Sequence, residues 1–493
     1  MFDTATDVDV TGRSRGIPVS RWGAVGLIGG ILGVGTVTYL FDSVGLIALG
    51  LFLLLCFTVL WALEPQRTGI LWVLFVASLA LLPFGTLRIA VGTLMIPLSA
   101  LFSVLPIGII CLRSLVTRDV KIEDRDIAIS VALLLFGNTL SLIVAKAPEV
   151  GAPLLAKWFF HSLLFAFLMS FRDRVWHVRT LLTLVLVTGG LSAYGLSGYI
   201  HGSSYDLNIY AGIGTRTATG QHLALVLPLA VGLGLVPALS TLARLSVWSS
   251  VGLSLVALLF TFNRAAWLGV LLGFFVLGAS RRRTVALSLV GLCILVLGYV
   301  GPQEVVDRFW SIFSLEEDVR HRDITNALRL ELQLRGLQEI LEHPLLGVGL
   351  GNFALNVPGT VAYADKNPHD FYLTTWAEGG ILAFVGLLGV LYFTIRRVVR
   401  SLRETTHPTG ENLLRGGLGS LVSLCAQMFF LDDFNHILAW TILGVAVSSA
   451  HIWADHAAEV EHRGLQESQI AVRVRPHSHI SEEHSIGAGG GGA

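Results

Sequence analysis

Residues 371–395 read FYLTTWAEGGILAFVGLLGVLYFTI. Glu378 is the single charged side chain of this stretch, and the apolar residues do not alternate with polar ones. A membrane-spanning helix needs about 20 consecutive apolar residues, whereas a barrel strand shows alternation. In lipid every backbone polar group must be satisfied within the protein. The stretch therefore predicts a transmembrane α-helix.

Similar runs recur from residue 22 to residue 453. The chain of 493 residues is 53% hydrophobic and 14% charged, whereas soluble domains are about 25% charged. We expect an all-α polytopic transmembrane helix bundle of about 12–14 spans. The predicted spans are 22–40, 44–62, 69–83, 94–112, 127–145, 153–171, 180–200, 218–237, 246–262, 264–279, 284–301, 371–395, 411–431 and 434–453.

The stretch 246–279 is too long for one helix and too short for two comfortable ones. It either breaks at Asn263-Arg264 or contains a re-entrant half.

Positive charges set the orientation. Lys and Arg collect in alternate connections, for example in Arg281-Arg282-Arg283 and after residue 395. Cytoplasmic connections carry this excess. The pattern predicts a multi-pass protein of the cytoplasmic (inner) membrane with both termini in the cytoplasm.

The runs divide the chain into segments. The predicted segments are a cytoplasmic tail (1–21), a first part of the bundle (22–301), a large extracytoplasmic loop with short helices (302–370), a last part of the bundle (371–453) and a disordered cytoplasmic tail (454–493). Within the loop, residues 328–342 carry a rough apolar stripe and predict a helix that Pro344 ends. The glycines that follow, Gly347, Gly349 and Gly351, predict a flexible, tightly turning segment.

The sequence indicates neither a metal site nor a cofactor. The cysteines, Cys56, Cys111, Cys293 and Cys425, lie in apolar runs without metal-ligand spacing. There is no nucleotide-type glycine-rich loop and no nucleophile elbow. We expect no nucleic-acid partner.

Two arginines lie at predicted helix starts. Arg264 interrupts the apolar stretch 246–279, and Arg216 opens the span at 218–237. Charge inside a membrane is costly and therefore calls for a reason. Two guanidinium groups at one membrane face suit a phosphate or diphosphate. The alternative is that each side chain reaches the headgroups by snorkelling.

The predicted loop re-enters the membrane at Pro368-His369-Asp370. A neutral imidazole there can accept a proton from a hydroxyl group. Asp370 is a substrate contact or a helix cap. Glu378 lies two helical turns further on, and it contacts substrate or pairs with an arginine.

These motifs resemble the O-antigen ligase and polymerase superfamily over about residues 205–450. The resemblance rests on EHPLLGVG (342–349) with Asn352-Phe353, on PHDFYL (368–373) with Glu378-Gly379-Gly380, on NRAAWLG (263–269), and on Arg216 followed by Gly220. In that superfamily the residue after the histidine is usually an amide, whereas here it is Asp370.

The resemblance implies a metal-independent transfer of a glycan from an undecaprenyl diphosphate carrier to an acceptor hydroxyl, on the outer side of the membrane. His369 would then be the base or the group that orients the acceptor, and Arg216 and Arg264 would hold the diphosphate and stabilise its charge as it leaves. Asp370, Glu378, Arg329 and Tyr372 are the expected substrate contacts. The expected partners are the lipid-linked donor, a glycan or lipid acceptor, membrane lipid and polysaccharide-assembly proteins.

Ligation and polymerisation both remain open. A transporter or flippase of lipid-linked glycans is the alternative function, and a non-catalytic scaffold is a third. A flippase usually shows two related halves, and none is visible here. A scaffold would leave Arg264 unexplained.

Overall fold

The computed structural model describes residues 88–91, 94–97, 124–200, 216–278, 303, 306–307, 326–356, 367–431 and 435–474. Its described part confirms the all-α fold, with one short antiparallel hairpin, β1 (Arg88–Val91) and β2 (Leu94–Pro97). The predicted span 94–112 therefore starts on a strand, and its remainder lies outside the described residues. The predicted tail 1–21 and the spans at 22–83 and 284–301 also lie outside them.

The described helices follow the predicted spans and the predicted loop helix. They are α1 (Arg125–Ser141), α2 (Pro148–Met169), α3 (Arg174–Ile200), α4 (Arg216–Gly234), α5 (Thr241–Leu259), α6 (Arg264–Gly278), α7 (Asn326–Glu342), α8 (Phe353–Asn356), α9 (Phe371–Glu404), α10 (Pro408–Met428) and α11 (Ile437–Val474). Among the described residues, six helices are long and apolar enough to cross a membrane: α2, α3, α4, α5, α9 and α11. The protein is thus a multi-pass membrane protein.

Helix α4 lies at the centre and is buried from Thr219 to Gly234. A helix that is apolar all round belongs inside a bundle. Small residues let its neighbours approach closely: a Cβ on Gly232 would lie 2.7 Å from the Cα of Gly416 in α10. Small residues of this kind are typical of helix contacts within membranes.

Helix α10 runs antiparallel to α4. The Asn412 amide donates to the carbonyl of Leu235 (2.9 Å), and further along α10 the Ser423 hydroxyl donates to the carbonyl of Ala224 (2.9 Å). The first turn of α4 therefore lies at the end of the bundle where α10 finishes.

The stretch 246–279 breaks into two helices, as the first of its two alternatives predicts. Helix α5 ends at Leu259 and α6 begins at Arg264. Between them Phe262 adopts a left-handed backbone conformation (φ 51°), which is uncommon for a bulky residue. The indole of Trp267 donates to the carbonyl of Leu258 at 2.9 Å and ties α6 back to α5.

Two loop features differ from the expectation. Gly347, Gly349 and Gly351 do turn tightly, all with positive φ, but they are packed against other elements. A Cβ on Gly349 would lie 2.5 Å from the Cβ of Ala145. The predicted apolar stripe of α7 is also divided, because Leu332 is buried whereas other leucines of that helix face outward.

The C-terminal segment also differs from the expectation. Helix α11 continues to Val474, although we expected disorder from residue 454. Residues 454–474 are mostly good helix formers such as Ala, Glu, Leu and Gln, and they contain no proline; the next proline in the chain is Pro476. The residues beyond 474 lie outside the described part.

Candidate functional site

Arg216 and Arg264 are the first residues of α4 and α6, and the structure places these two helix starts side by side. The Asn263 amide donates a hydrogen bond to the backbone carbonyl of Thr217 at 3.0 Å. Gly220 makes this approach possible, because a Cβ there would lie 2.8 Å from the Asn263 side chain. Both arginines are partly buried.

Asn263 also organises the start of α6. Its side-chain oxygen accepts a hydrogen bond from the backbone N–H of Ala266 (3.2 Å), which is the geometry of a helix cap. The hydroxyl of Thr261 accepts from the backbone N–H of Asn263 (3.3 Å). One asparagine therefore fixes the direction of α6 and joins it to α4.

The electrostatics of this corner favour an anion. A helix N-terminus carries about half a positive charge. Helix α6 begins at Arg264, and Arg216, the first described residue of α4, lies near this start. A guanidinium group donates paired hydrogen bonds to phosphate oxygens. The arrangement suits a phosphate or a diphosphate.

His369 lies in the turn that precedes α9. It is partly buried, and its backbone is left-handed (φ 53°). Such a conformation costs about 1–3 kcal/mol and needs support from its surroundings. Pro368 precedes it and packs against Gly336 of α7, where an added Cβ would lie 3.2 Å away. Asp370 follows it and caps α9.

The capping interaction of Asp370 is well defined. Its Oδ1 accepts hydrogen bonds from the backbone N–H groups of Tyr372 (2.9 Å) and Leu373 (3.0 Å). Burial raises the pKa of the Asp370 carboxyl above its ordinary value, although the two backbone hydrogen bonds oppose the rise. The structure thus gives this residue the role of a helix cap.

Tyr372 connects the His369 turn to α10. Its hydroxyl donates to the carbonyl of Cys425 (3.1 Å), and its ring lies 4.6 Å from that of Phe429. The same last turns of α10 lie against α6, where a Cβ on Gly269 would be 3.0 Å from the Gln427 side chain. The start of α9 and the first turns of α6 therefore both pack against the last turns of α10, at the end of the bundle where α4 starts.

Glu378 is buried and fastens the glycine-rich loop to α9. Its carboxylate oxygens accept from the backbone N–H groups of Gly351 (2.9 Å) and Phe353 (3.2 Å). Its own carbonyl accepts from Gly349 N–H (3.1 Å). A carboxylate in this position stabilises the loop itself.

The loop is also fastened to α1 and α2. The Asn352 side chain accepts from the backbone N–H of Ala147 (2.7 Å) and donates to its carbonyl (3.1 Å). The hydroxyl of Ser141 accepts from the N–H of Leu350 (3.1 Å). The loop therefore joins three helices next to the His369 turn.

Arg329 lies on α7, partly buried. It is two helical turns before Gly336, on the face of α7 that packs towards Pro368. The seven predicted site residues therefore divide into two groups. Five of them lie at the helix starts at this end of the bundle: Arg216, Arg264, His369, Asp370 and Tyr372. Glu378 lies further along α9, in contact with the loop, and Arg329 lies on α7.

Buried polar contacts near the His369 end of the bundle were not expected from the sequence. His161 of α2 hydrogen-bonds through Nδ1 to the Asn435 side chain (2.8 Å), and His222 of α4 through Nε2 to Thr188 (2.8 Å). Trp158, one turn from His161, stacks on Phe371 with ring centroids 6.0 Å apart. The partners are tens to hundreds of residues apart, so no sequence spacing marks them.

In the described residues one group of side chains has metal-ligand geometry. It consists of Glu339, Glu342 and His343 at the end of α7, with ligand atoms within 4.8 Å of one another. Burial, and then the neighbouring Glu342, raise the pKa of the Glu339 carboxyl. The group is largely exposed, and the sequence analysis named no metal site here.

Comparison with known proteins identifies the family that part of the chain resembles. Residues 249–388 match the model of the O-antigen ligase family, which confirms the resemblance to that superfamily. The match covers Asn263-Arg264, helix α7, the glycine-rich loop and the His369 turn. No curated protein matches the chain. The family indicates glycan processing in a membrane by a glycosyl-transfer enzyme.

Proposed function

We propose, on the premise of the O-antigen ligase match over residues 249–388, that this protein is a membrane glycosyltransferase. It moves a glycan from a polyprenyl (undecaprenyl) diphosphate donor to an acceptor hydroxyl on the outer face of the cytoplasmic membrane. It acts as an O-antigen ligase or a polysaccharide polymerase. One observation carries the proposal: the Asn263–Thr217 hydrogen bond holds two arginine-led helix starts together at the end of the bundle where the His369 turn lies.

The two arginines bind the diphosphate of the donor. Negative charge grows on the leaving diphosphate as the glycosidic bond breaks, and fixed cations beside it stabilise the transition state. The positive end of the α6 dipole adds to this stabilisation. Partial burial of Arg216 and Arg264 strengthens it, because charges interact more strongly away from bulk water.

His369 acts as the general base. The acceptor oxygen forms a bond to the anomeric carbon, the bond from that carbon to the diphosphate oxygen breaks, and the hydroxyl proton passes to His369. The lipid diphosphate leaves with the bonding electron pair. The proposal needs no metal ion for any of these steps.

The orientation belongs to the same proposal. Lys and Arg collect in alternate connections, which supports cytoplasmic N- and C-termini and, with them, an outer-face position of the His369 turn. The partners are then the lipid-linked donor, a glycan or lipid acceptor, and proteins of lipopolysaccharide or other cell-envelope polysaccharide assembly.

A transfer assay tests the proposal. Purified protein receives undecaprenyl diphosphate-linked glycan and a hydroxyl acceptor, and product is measured by mass spectrometry. We expect His369→Ala to abolish product. His407→Ala is the matched control, because His407 caps α10 at the opposite end of the bundle, where it stacks on Trp453. Equal turnover by the wild type and His369→Ala would overturn the proposal.

The surface glycan of a deletion strain separates the two reactions. Single repeat units on the final acceptor would identify a polymerase. Loss of all attached glycan, with chains accumulating on the carrier, would identify a ligase.

A further inference from the structure

Helix α7 carries a stripe of exposed leucines. Leu330, Leu334, Leu337 and Leu341 are 55%, 57%, 45% and 81% exposed. Their spacing of three or four residues places them on one face of the helix. Leu345, just after the helix, is 70% exposed and extends the apolar surface. We call these five residues the leucine stripe.

The stripe is separate from the face that packs on the protein. Leu332 and Ile340 are buried, and Gly336 lies against Pro368 and Leu373. A third side carries polar residues, which include the exposed Glu331 and Gln338. The leucine stripe is thus not the underside of a helix lying on the bundle, because that underside is already occupied.

The stripe continues into the lipid-facing surface of α9. The Trp376 indole N–H donates to the carbonyl of Pro344 (3.2 Å), next to Leu345, and its ring stacks on Phe384 at 4.6 Å. Beyond Phe384 the outward side chains of this spanning helix are Val385, Leu388 and Tyr392. A tryptophan with a polar tip in this position is typical of the edge of a membrane.

We propose that the leucine stripe of α7 is buried in the acyl region of the lipid leaflet on the side of the His369 turn. Its occupant is the bilayer, because the stripe ends at Leu345, beside the Pro344 carbonyl that binds Trp376 of the spanning helix α9. Helix α7 then lies in the membrane surface with Glu331 and Gln338 towards water, as interfacial helices do.

Charge plays a small part in this association. Helix α7 carries two arginines and three glutamates, so it gains little from anionic lipid. Its membrane contact rests on apolar burial. It should therefore be the same in neutral and in anionic bilayers.

The position of α7 sets the depth of the His369 turn in the membrane. Gly336 packs against Pro368, so a helix seated in the leaflet fixes the depth of the His369 turn at the level of the headgroups. This is the level at which a lipid-linked diphosphate lies. The membrane contact itself does not depend on the proposed glycan transfer.

Spin labelling of the full chain tests the inference. Leu337→Cys and the adjacent Gln338→Cys are labelled in phosphatidylcholine nanodiscs, and again with phosphatidylglycerol added. The spectrum of the parent protein, treated identically, is subtracted to remove the native cysteines. Power saturation then compares access of molecular oxygen with access of a water-soluble nickel chelate.

The expected ratio of oxygen to nickel access is several-fold higher at position 337 than at position 338, in both lipid compositions. Equal nickel access at the two positions would overturn the inference. So would an immobilised label at position 337 that neither reagent reaches, because that result would indicate a protein surface, such as a second copy, on the stripe.

Discussion

The side-chain amide of Asn263 donates a hydrogen bond to the carbonyl of Thr217 at 3.0 Å, across 46 residues of sequence. This contact makes the starts of α4 and α6 into a single unit. Each start carries an arginine, so this amide helps to fix the relative position of Arg216 and Arg264. Gly220 supports the contact by leaving room for it.

Replacement of Asn263 by alanine should separate these helix starts. Loss of the hydrogen bond and of the cap costs about 1–2 kcal/mol of stability. We also expect a raised KM for the lipid-linked donor, because the two arginines can no longer bind the same diphosphate. Thermal unfolding and steady-state transfer measure the two effects.

Asn412→Ala is the matched control for this change. Asn412 makes the same kind of hydrogen bond, to Leu235, between α10 and the opposite end of α4. It should cost similar stability without changing the donor KM. An equal KM shift in both variants would contradict the special role of Asn263.

Glu378→Gln should loosen the glycine-rich loop. Gly351 and Phe353 donate to different oxygens of the Glu378 carboxylate, so a glutamine in the same place turns an NH2 group towards one of these two N–H donors. A buried N–H group left without its partner costs about 1–3 kcal/mol. Hydrogen exchange over residues 347–356 should become faster.

Glu411→Gln is the control for the loop variant, because Glu411 pairs with Arg415 near the surface of α10. Such a pair contributes roughly 0–1 kcal/mol. Unchanged exchange over the loop in Glu378→Gln would show that the carboxylate does not hold it.

The variant Asp370→Asn distinguishes two possible roles of Asp370, helix capping and substrate binding. Asparagine caps a helix as well as aspartate does, whereas alanine loses about 1 kcal/mol. Burial raises the pKa of Asp370, so the protonated carboxyl favours the folded state. That stability is lost as the pH rises through the raised pKa.

Asp370→Asn should therefore gain stability relative to the wild type from acidic to neutral pH, while Asp370→Ala stays less stable than Asp370→Asn throughout. Thermal unfolding across this pH range measures both. Transfer by Asp370→Asn should remain near the wild-type rate. A large loss of transfer with an intact fold would instead make Asp370 a substrate contact.

Removal of divalent metal should leave transfer unchanged. The group formed by Glu339, Glu342 and His343 has ligand spacing, but it belongs to α7 and not to the converging helix starts. We expect a chelator to leave the turnover number within about twofold, a difference of less than 0.5 kcal/mol. Activity that a chelator abolishes and Mg²⁺ restores would contradict the metal-free reaction, and His343→Ala would then test this group.

The sequence predicts the helices well, because hydropathy and length decide whether a segment spans a membrane. It also places Arg216 and Arg264 at helix starts, since each follows polar residues and precedes an apolar run. The break at Asn263 could be predicted as one of two alternatives. These inferences use only local properties of the chain.

Contacts between distant segments could not be predicted. Glu378 was expected to contact substrate or an arginine, but its carboxylate accepts from loop N–H groups, which have no sequence signature. The pairing of His161 with Asn435 spans 274 residues. The division of the α7 leucines into buried and outward sets depends on where α9 lies, and the stripe pattern alone cannot show it.

The variant Arg264→Lys distinguishes an arginine that binds the diphosphate from one that only reaches the headgroups. Lysine keeps the charge but replaces a planar fork with a single ammonium group, so it cannot hold a diphosphate in the same way. Arg415→Lys is the control, because Arg415 lies near the opposite end of α10. With purified protein, lipid-linked donor and acceptor, we predict that kcat/KM falls at least about tenfold, or 1.4 kcal/mol, for Arg264→Lys and stays unchanged for Arg415→Lys. Full activity of Arg264→Lys would show that this side chain only reaches the headgroups, and it would contradict the account.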